Sequence, residues 1–355
     1  MRLERRESPS RALLAAAPLL AVGATMLVCA VLVAWAGAPV GKVYVALVEG
    51  AVGSRFALSE TLTRATPLIL TGLATAVAFR TRLYNIGAEG QLYLGALAAV
   101  AVGGAWGDGG LALPPSLRFP LMVAAGAVAG ALWLLGPAML KTWLAVDEVV
   151  STLLLNFIAL LLVSLLLDGP MKDPTAMGWP QSVPVMPELE LSRLLPRTRV
   201  HTGLLWAVGL AVATWVLERF TTFGLASRAV GLNARAAAFA GIPVRRVTLL
   251  TALLSGALAG LAGVGEVAGR AGYVTLDMSP GYGYSGIVIA MLAGLHPLGV
   301  VAASIFVAGV LVGADSMSRT VGVPNAIADV IVAVALLFML VAGLLAQYRV
   351  RRGRS

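Results

Sequence analysis

The chain has 355 residues, of which 59% are hydrophobic and 12% charged, and its mean hydropathy is strongly positive. Soluble domains carry about 25% charged residues, so half that share excludes an ordinary soluble fold and indicates a membrane protein. A net charge of +9 could suggest nucleic acid, but the basic residues sit at the ends of apolar runs rather than on one face, so no nucleic-acid partner is expected. Cys29 is the only cysteine, which excludes an intramolecular disulfide, and two separated histidines, His201 and His296, argue against a metal centre.

Apolar runs of about 17–25 residues read as membrane-spanning helices. Ten occur in order, at 12–36, 62–79, 87–106, 119–140, 148–167, 202–218, 247–267, 283–296, 298–315 and 324–345. The first offers an A-x-A cleavage pattern at Ala34 and Ala36. Its apolar core is longer than the 7–15 residues of a signal peptide, so a retained anchor is expected. The run at 283–296 is short and reads as broken, or as continuing from the Gly-rich stretch before it.

Charge sets the orientation. With the N-terminus inside, the cytoplasmic face receives Arg2, Arg5, Arg6, Arg11, Arg80, Arg82, Lys141, Arg219, Arg228, Arg235, Arg245, Arg246, Arg349, Arg351, Arg352 and Arg354. Basic residues flanking short loops favour the inside. Both termini are then cytoplasmic, which agrees with an even number of spans. A proline-rich segment at 168–201 faces outward, and a segment at 219–246 rich in small residues faces inward. Neither can form an independent domain, so residues 1–355 are expected to be one membrane domain. LTGLATA at Leu70–Ala76 echoes LSGALAG at Leu254–Gly260. The two fall in spans of opposite direction, as in an inverted repeat.

Three stretches carry polar residues at membrane depth, where an ionisable group is costly unless it faces protein or water. YNIGAEGQ (Tyr84–Gln91) reads either as a solvated interfacial loop or as a broken helix lining a pathway. Asn85 suits an N-cap, Glu89 then lies in the first turn on the same face, and Gly87 and Gly90 permit an unwound turn. DEVVSTLLLN (Asp147–Asn156) opens a helix with an acidic pair and ends on an Asn that needs a partner helix or a polar pathway. SGALAGLAGVGEVAG (Ser255–Gly269) holds the GxxxG pair Gly256 and Gly260 beside a second small-residue stripe, Ser255, Ala259 and Gly263, and close packing is expected. Glu266 and Asp329 read equally as interfacial or functional. There is no Walker A, H-E-x-x-H or G-x-S-x-G sequence. Active transport would therefore draw on another subunit or an ion gradient. No nucleophile–base constellation supports an enzyme.

Several blocks in the right order resemble the permease subunits of ABC importers for simple sugars and nucleosides, within the branched-chain amino acid and ribose permease group. They are FRTRLYNIGAEGQ (Phe79–Gln91), DEVVSTLLLNFIA (Asp147–Ala159), GPMKDP with PQS (Gly169–Pro174, Pro180–Ser182), AVGLNARAAAFAGIPVRR (Ala229–Arg246) and SGALAGLAG (Ser255–Gly263). The resemblance implies an all-α, ten-helix type II importer permease with inverted halves in a bacterial plasma membrane, transporting nucleosides or, alternatively, ribose- or galactose-like sugars. It further implies an ABC ATPase, a second permease subunit (a paralogue or a self-copy) and an extracytoplasmic substrate-binding lipoprotein, with no cofactor. Asn85, Glu89, Gln91 and Asn156 would form a translocation pathway or helix break. Gly231, Asn233, Ala236, Ala237, Gly241, Ile242 and Arg245 would couple to the ATPase. Pro243 after Gly241 forbids continuation of the short helix they outline. The rival from another class is a secondary transporter relaying ions through Glu89 or Asp329.

Overall fold

The computed structural model describes residues 2–5, 11–35, 37–107, 113–322 and 324–351. Arg6, Ala36, Arg352 and Arg354 lie outside them. The helices are α1 (Arg11–Trp35), α2 (Val40–Val52), α3 (Arg55–Arg80), α4 (Ala88–Gly103), α5 (Pro115–Leu144), α6 (Glu148–Asp168), α7 (Gly203–Phe220), α8 (Thr222–Leu232), α9 (Ala234–Phe239), α10 (Val244–Glu266), α11 (Tyr282–Leu292), α12 (Pro297–Val321) and α13 (Asn325–Gln347). A π-helical turn, Val267–Ala271, extends α10. Short strands β1 (Arg2–Arg5) and β2 (Tyr348–Arg351) pair antiparallel.

Each of the ten apolar runs coincides with a helix. Among the described residues six are long and apolar enough to cross a membrane: α3, α5, α6, α7, α10 with its π turn, and α12. The other four runs hold shorter apolar helices. For α4 and α11 the reason is that each starts after a non-helical approach. α2 is absent from the sequence expectation because its 13 residues carry Lys42 and Glu49.

The chain divides into two compact units, one from Met1–Thr61 with Ile305–Ser355, the other Leu62–Ser304. In the first, Cys29 and Val33 of α1, Val43 and Ala46 of α2, Ala314 and Met317 of α12 and Ile331 of α13 form the core. The second is built on close backbone contact. A Cβ at Gly260 of α10 would overlap the carbonyl oxygen of Gly126 of α5, and one at Gly95 of α4 would overlap that of Gly260. Gly263 stands as close to Leu92 of α4, and Gly256 to Gly130 of α5. Both predicted small-residue stripes of α10 therefore serve packing, as lipid-embedded helices require. Burial follows: 67% of the apolar window of α10 is buried against 22% for α6. Leu154, Ile158, Leu161 and Leu165 on one face of α6 remain exposed, as an apolar face toward lipid would.

Residues 169–202 are strapped down rather than loose. Val185 N donates to Gly272 O at 2.7 Å, Ser182 N to Val274 O at 3.0 Å and Met186 N to Gly103 O at 3.0 Å. Within the segment, Asp173 accepts from the Thr175 N–H and hydroxyl at 2.8 and 2.7 Å. Those bonds hold its carboxyl below the usual carboxylate range.

Candidate functional site

The Tyr84–Gln91 segment is a helix break held by side chains. α3 ends at Arg80, the chain turns at Arg82 with a left-handed φ of 56°, and α4 starts only at Ala88 with Gly87 as its N-cap. Asn85 is thus not the N-cap and does not share a helical face with Glu89. Its Oδ1 instead accepts from Gly87 N at 2.9 Å, stabilising the turn before the helix. Asn85 and Gln91 form a reciprocal amide pair at 3.0 and 2.8 Å. Asn85 also donates to Ser255 Oγ at 3.1 Å, which donates to Ala74 O at 2.7 Å. Ser255 is therefore a polar bridge as well as a small residue. All of these side chains are buried, so their mutual bonding offsets the desolvation cost.

α6 clamps the other side of the break. Its N-cap Asp147 accepts from Val149 N and Val150 N, as the acidic pair led one to expect. Glu148, Thr152 and Asn156 then follow at four-residue spacing on one face. Glu148 Oε1 accepts from Tyr84 N at 3.1 Å and from Lys141 Nζ. Thr152 Oγ1 accepts from Ile86 N at 3.3 Å. Asn156 Oδ1 accepts from Gly90 N at 2.8 Å while its Nδ2 donates to Ile86 O at 2.9 Å. The unwound backbone groups thus find partners on α6, which apolar surroundings require. Of this clamp the sequence reading singled out Asn156. The stripe of polar residues every fourth position in an apolar helix was the signal for the other two.

Glu89 points away from the clamp to a second helix start. Its Oε2 accepts from Gly283 N in the first turn of α11 at 2.6 Å. A Cβ at Gly283 would overlap Glu89 N, so the two helix starts touch. Tyr93 of α4 donates to Leu276 O at 2.6 Å, fixing the approach to α11. Asn156 Nδ2 also reaches Tyr284 OH at 3.2 Å. α4 has 16 residues and α11 has 11. At about 1.5 Å per residue, roughly 24 and 17 Å, neither matches a hydrocarbon core of about 30 Å. Two short helices therefore begin inside the unit, face to face, with the Glu89 carboxyl group of one accepting from the start of the other.

Glu266 is fully buried and paired with Arg270 at 2.7 Å. Arg64 of α3 lies within electrostatic reach. His201, 1% exposed, packs its ring against Gly269 and accepts from Gly203 N through Nδ1 at 3.2 Å. Burial, with Arg270 nearby, pushes its pKa down to about 4. Asp329 is exposed. No His/Cys/Asp/Glu cluster suited to a metal occurs among the described residues.

The segment at 219–246 holds two short helices. Asn233 ends α8 and caps α9, accepting from Arg235 N and Ala236 N at 3.0 and 3.1 Å. Gly241, with φ 83°, ends the turn ahead of Ile242 and Pro243. Ala237 packs with Val230 and Val247, joined by Ile242, so α8, α9 and the start of α10 share a small core. Ala236 and Arg245 face solvent. Phe239, absent from the predicted set, is 97% exposed at the tip. An aromatic in a stretch of alanines was its signal.

Residues 57–340 match the family described as branched-chain amino acid transport system / permease component. The chain belongs to this permease family. It is 40% identical over 319 residues to the glucose ABC transporter permease protein TsgB13 of Haloferax volcanii, covering 85% of this chain and 82% of that one. It is 36% identical to the guanosine ABC transporter permease protein NupP of Bacillus subtilis, over 91% and 92% of the two chains. The nucleoside ABC transporter permease protein NupB of Lactococcus lactis is 31% identical over 84% and 83%. These relatives are transport permeases rather than enzymes, and this permease is likewise a multi-pass membrane protein.

Proposed function

We propose that this chain is the permease subunit of an ATP-binding cassette importer for nucleosides. The observation that carries the reading is similarity along nearly the full length to a guanosine and a nucleoside permease. A simple sugar is the second reading, favoured by the similarity to a glucose permease. Both units belong to one permease domain of ten spans in two inverted halves. The order long helix, break, short helix in both α3–α4 and α10–α11 supports the repeat. Both termini and α8–α9 face the cytoplasm, and residues 169–202 face outward. Asn85, Gln91 and Asn156 hold the break, and Glu89 ties it to α11 at the inner part of the pathway. α8–α9 docks on the separate ATPase with Gly231, Asn233, Ala236, Ala237, Gly241, Ile242, Arg245 and the Phe239 tip. A second permease completes the pathway and a substrate-binding lipoprotein delivers the solute. ATP-driven closure then favours one permease conformation through the docked segment.

The test is uptake by membrane vesicles containing the assembled transporter. ATP-dependent accumulation of labelled guanosine, unaffected by excess glucose, is expected. Accumulation of glucose instead would establish the second reading. Uptake that ignores ATP and collapses with the ion gradient would sink the importer reading in favour of a secondary transporter.

A further inference from the structure

α8 lies against the end of α3 with no side chain between them, because a Cβ at Gly231 would overlap the carbonyl oxygen of Arg80. The Arg80 guanidinium extends this contact. Its Nη2 donates to Leu295 O at 2.6 Å, in the turn between α11 and α12, and stands 3.0 Å from Glu218 Oε2 near the end of α7. Glu218 is itself tied to α8. Its carbonyl oxygen accepts from Arg228 Nη1 at 2.9 Å, and a Cβ at Gly224 would overlap that same oxygen. The Arg80 and Glu218 side chains are 19% and 6% exposed, so solvent screens their pairing little.

These contacts meet at one residue. Arg80 is the last residue of α3, directly before the break, and it also grips the far end of α11. α11 is one unbroken helix of 11 residues from that end to its start on Glu89. A rod of about 17 Å transmits a shift at its end rather than absorbing it.

We propose that Arg80 is a positioning residue that carries movement of α8–α9 at once into the break before α4 and, through Leu295, along α11, so that both helix starts at Glu89 move together. The proposal rests on the reading of α8–α9 as the ATPase-docking segment. It adds the route by which that segment reaches the pathway.

The test has two arms. In the first, spin labels replace Arg235 on α9 and His296 in the α11–α12 turn of the full-length chain carrying Cys29→Ser, in lipid nanodiscs. Double electron–electron resonance is expected to give one narrow distance. Arg80→Ala broadens it, and Arg80→Lys, which can still donate to Leu295 O, restores it. Equal distributions for the parent and Arg80→Ala would overturn the link. This arm needs no ATPase, so it stands apart from the docking reading. In the second arm, the assembled transporter is assayed with whichever of guanosine or glucose it accumulates. Arg80→Ala is expected to lower solute moved per ATP hydrolysed about tenfold, while ATP hydrolysis persists, as for loss of a hydrogen bond from a charged donor. Glu218→Gln, which keeps the shape and the Leu295 bond, is expected to lower the same ratio less. Unchanged ratios in both variants would overturn the proposal. Failure of the parent chain to bind any ATPase would sink the docking reading and this use of Arg80 with it.

Discussion

Glu89, in the first turn of α4, serves the start of α11 as a hydrogen-bond acceptor, and this makes its substitutions distinguishable. Glu89→Gln keeps an oxygen for Gly283 N, whereas Glu89→Ala leaves that N–H buried without one, at a cost of about 1–3 kcal/mol. Thermal unfolding in detergent is expected to rank the parent and the Gln variant close together and the Ala variant clearly below. A Gln variant as unstable as Ala would refute the acceptor role. His201 gives a second residue-scale expectation. Its folded pKa of about 4 lies below the unfolded value of about 6.5, so below pH 6.5 the unfolded chain takes up a proton that the folded chain refuses. Stability is therefore full above about pH 6.5 and falls as pH drops toward 4, by a total on the order of 3 kcal/mol. The melting temperature of the parent relative to His201→Gln should therefore fall from pH 7 to pH 5, a comparison in which the other buried titrating groups cancel. The sequence made the polar side chains at membrane depth visible, because charge and amides stand out in apolar runs. It did not reveal their partners, since Gly283 and Ser255 lie 194 and 170 residues away from Glu89 and Asn85.

Among the elements, the contact of α4, α5 and α10 depends on missing side chains. Gly260→Leu would drive a side chain into the Gly126 carbonyl. Overpacking of this kind costs about 1–3 kcal/mol or more. The variant should elute as aggregate in size-exclusion chromatography of a fluorescent fusion. Gly209→Ala, where nothing lies within 4 Å of the added Cβ, should elute as the parent does. Identical profiles for both would contradict the packing. The ten apolar runs were legible because long hydrophobic stretches need no partner to declare themselves. The Gly256 and Gly260 pair was also legible. The start of α11 was legible to within a residue, at Tyr282 against an expected 283, whereas its early end at Leu292 was not. The division of residues 222–239 into α8 and α9 depended on one Asn acting as both stop and cap.

For the whole molecule, the orientation can be read directly. With Cys29 replaced, a cysteine at Met177 should react with a membrane-impermeant maleimide added to intact cells. One at Phe239 should react only after the cells are opened. Both positions are fully or almost fully exposed, so slow chemistry would not mimic protection. The reverse pattern would invert the topology.

On the proposed topology, the strap formed by residues 169–202 has a consequence that extends to both faces of the membrane. Its bonds to Gly272 and Val274 grip the chain just ahead of α11, while Arg80 grips the same helix just beyond its end. A solute carrier landing on the strap and an engine closing on α8 would therefore pull on opposite ends of one short lever. On that proposed topology, arrival on one side and power stroke on the other would need no long relay, since both would act on the same eleven residues.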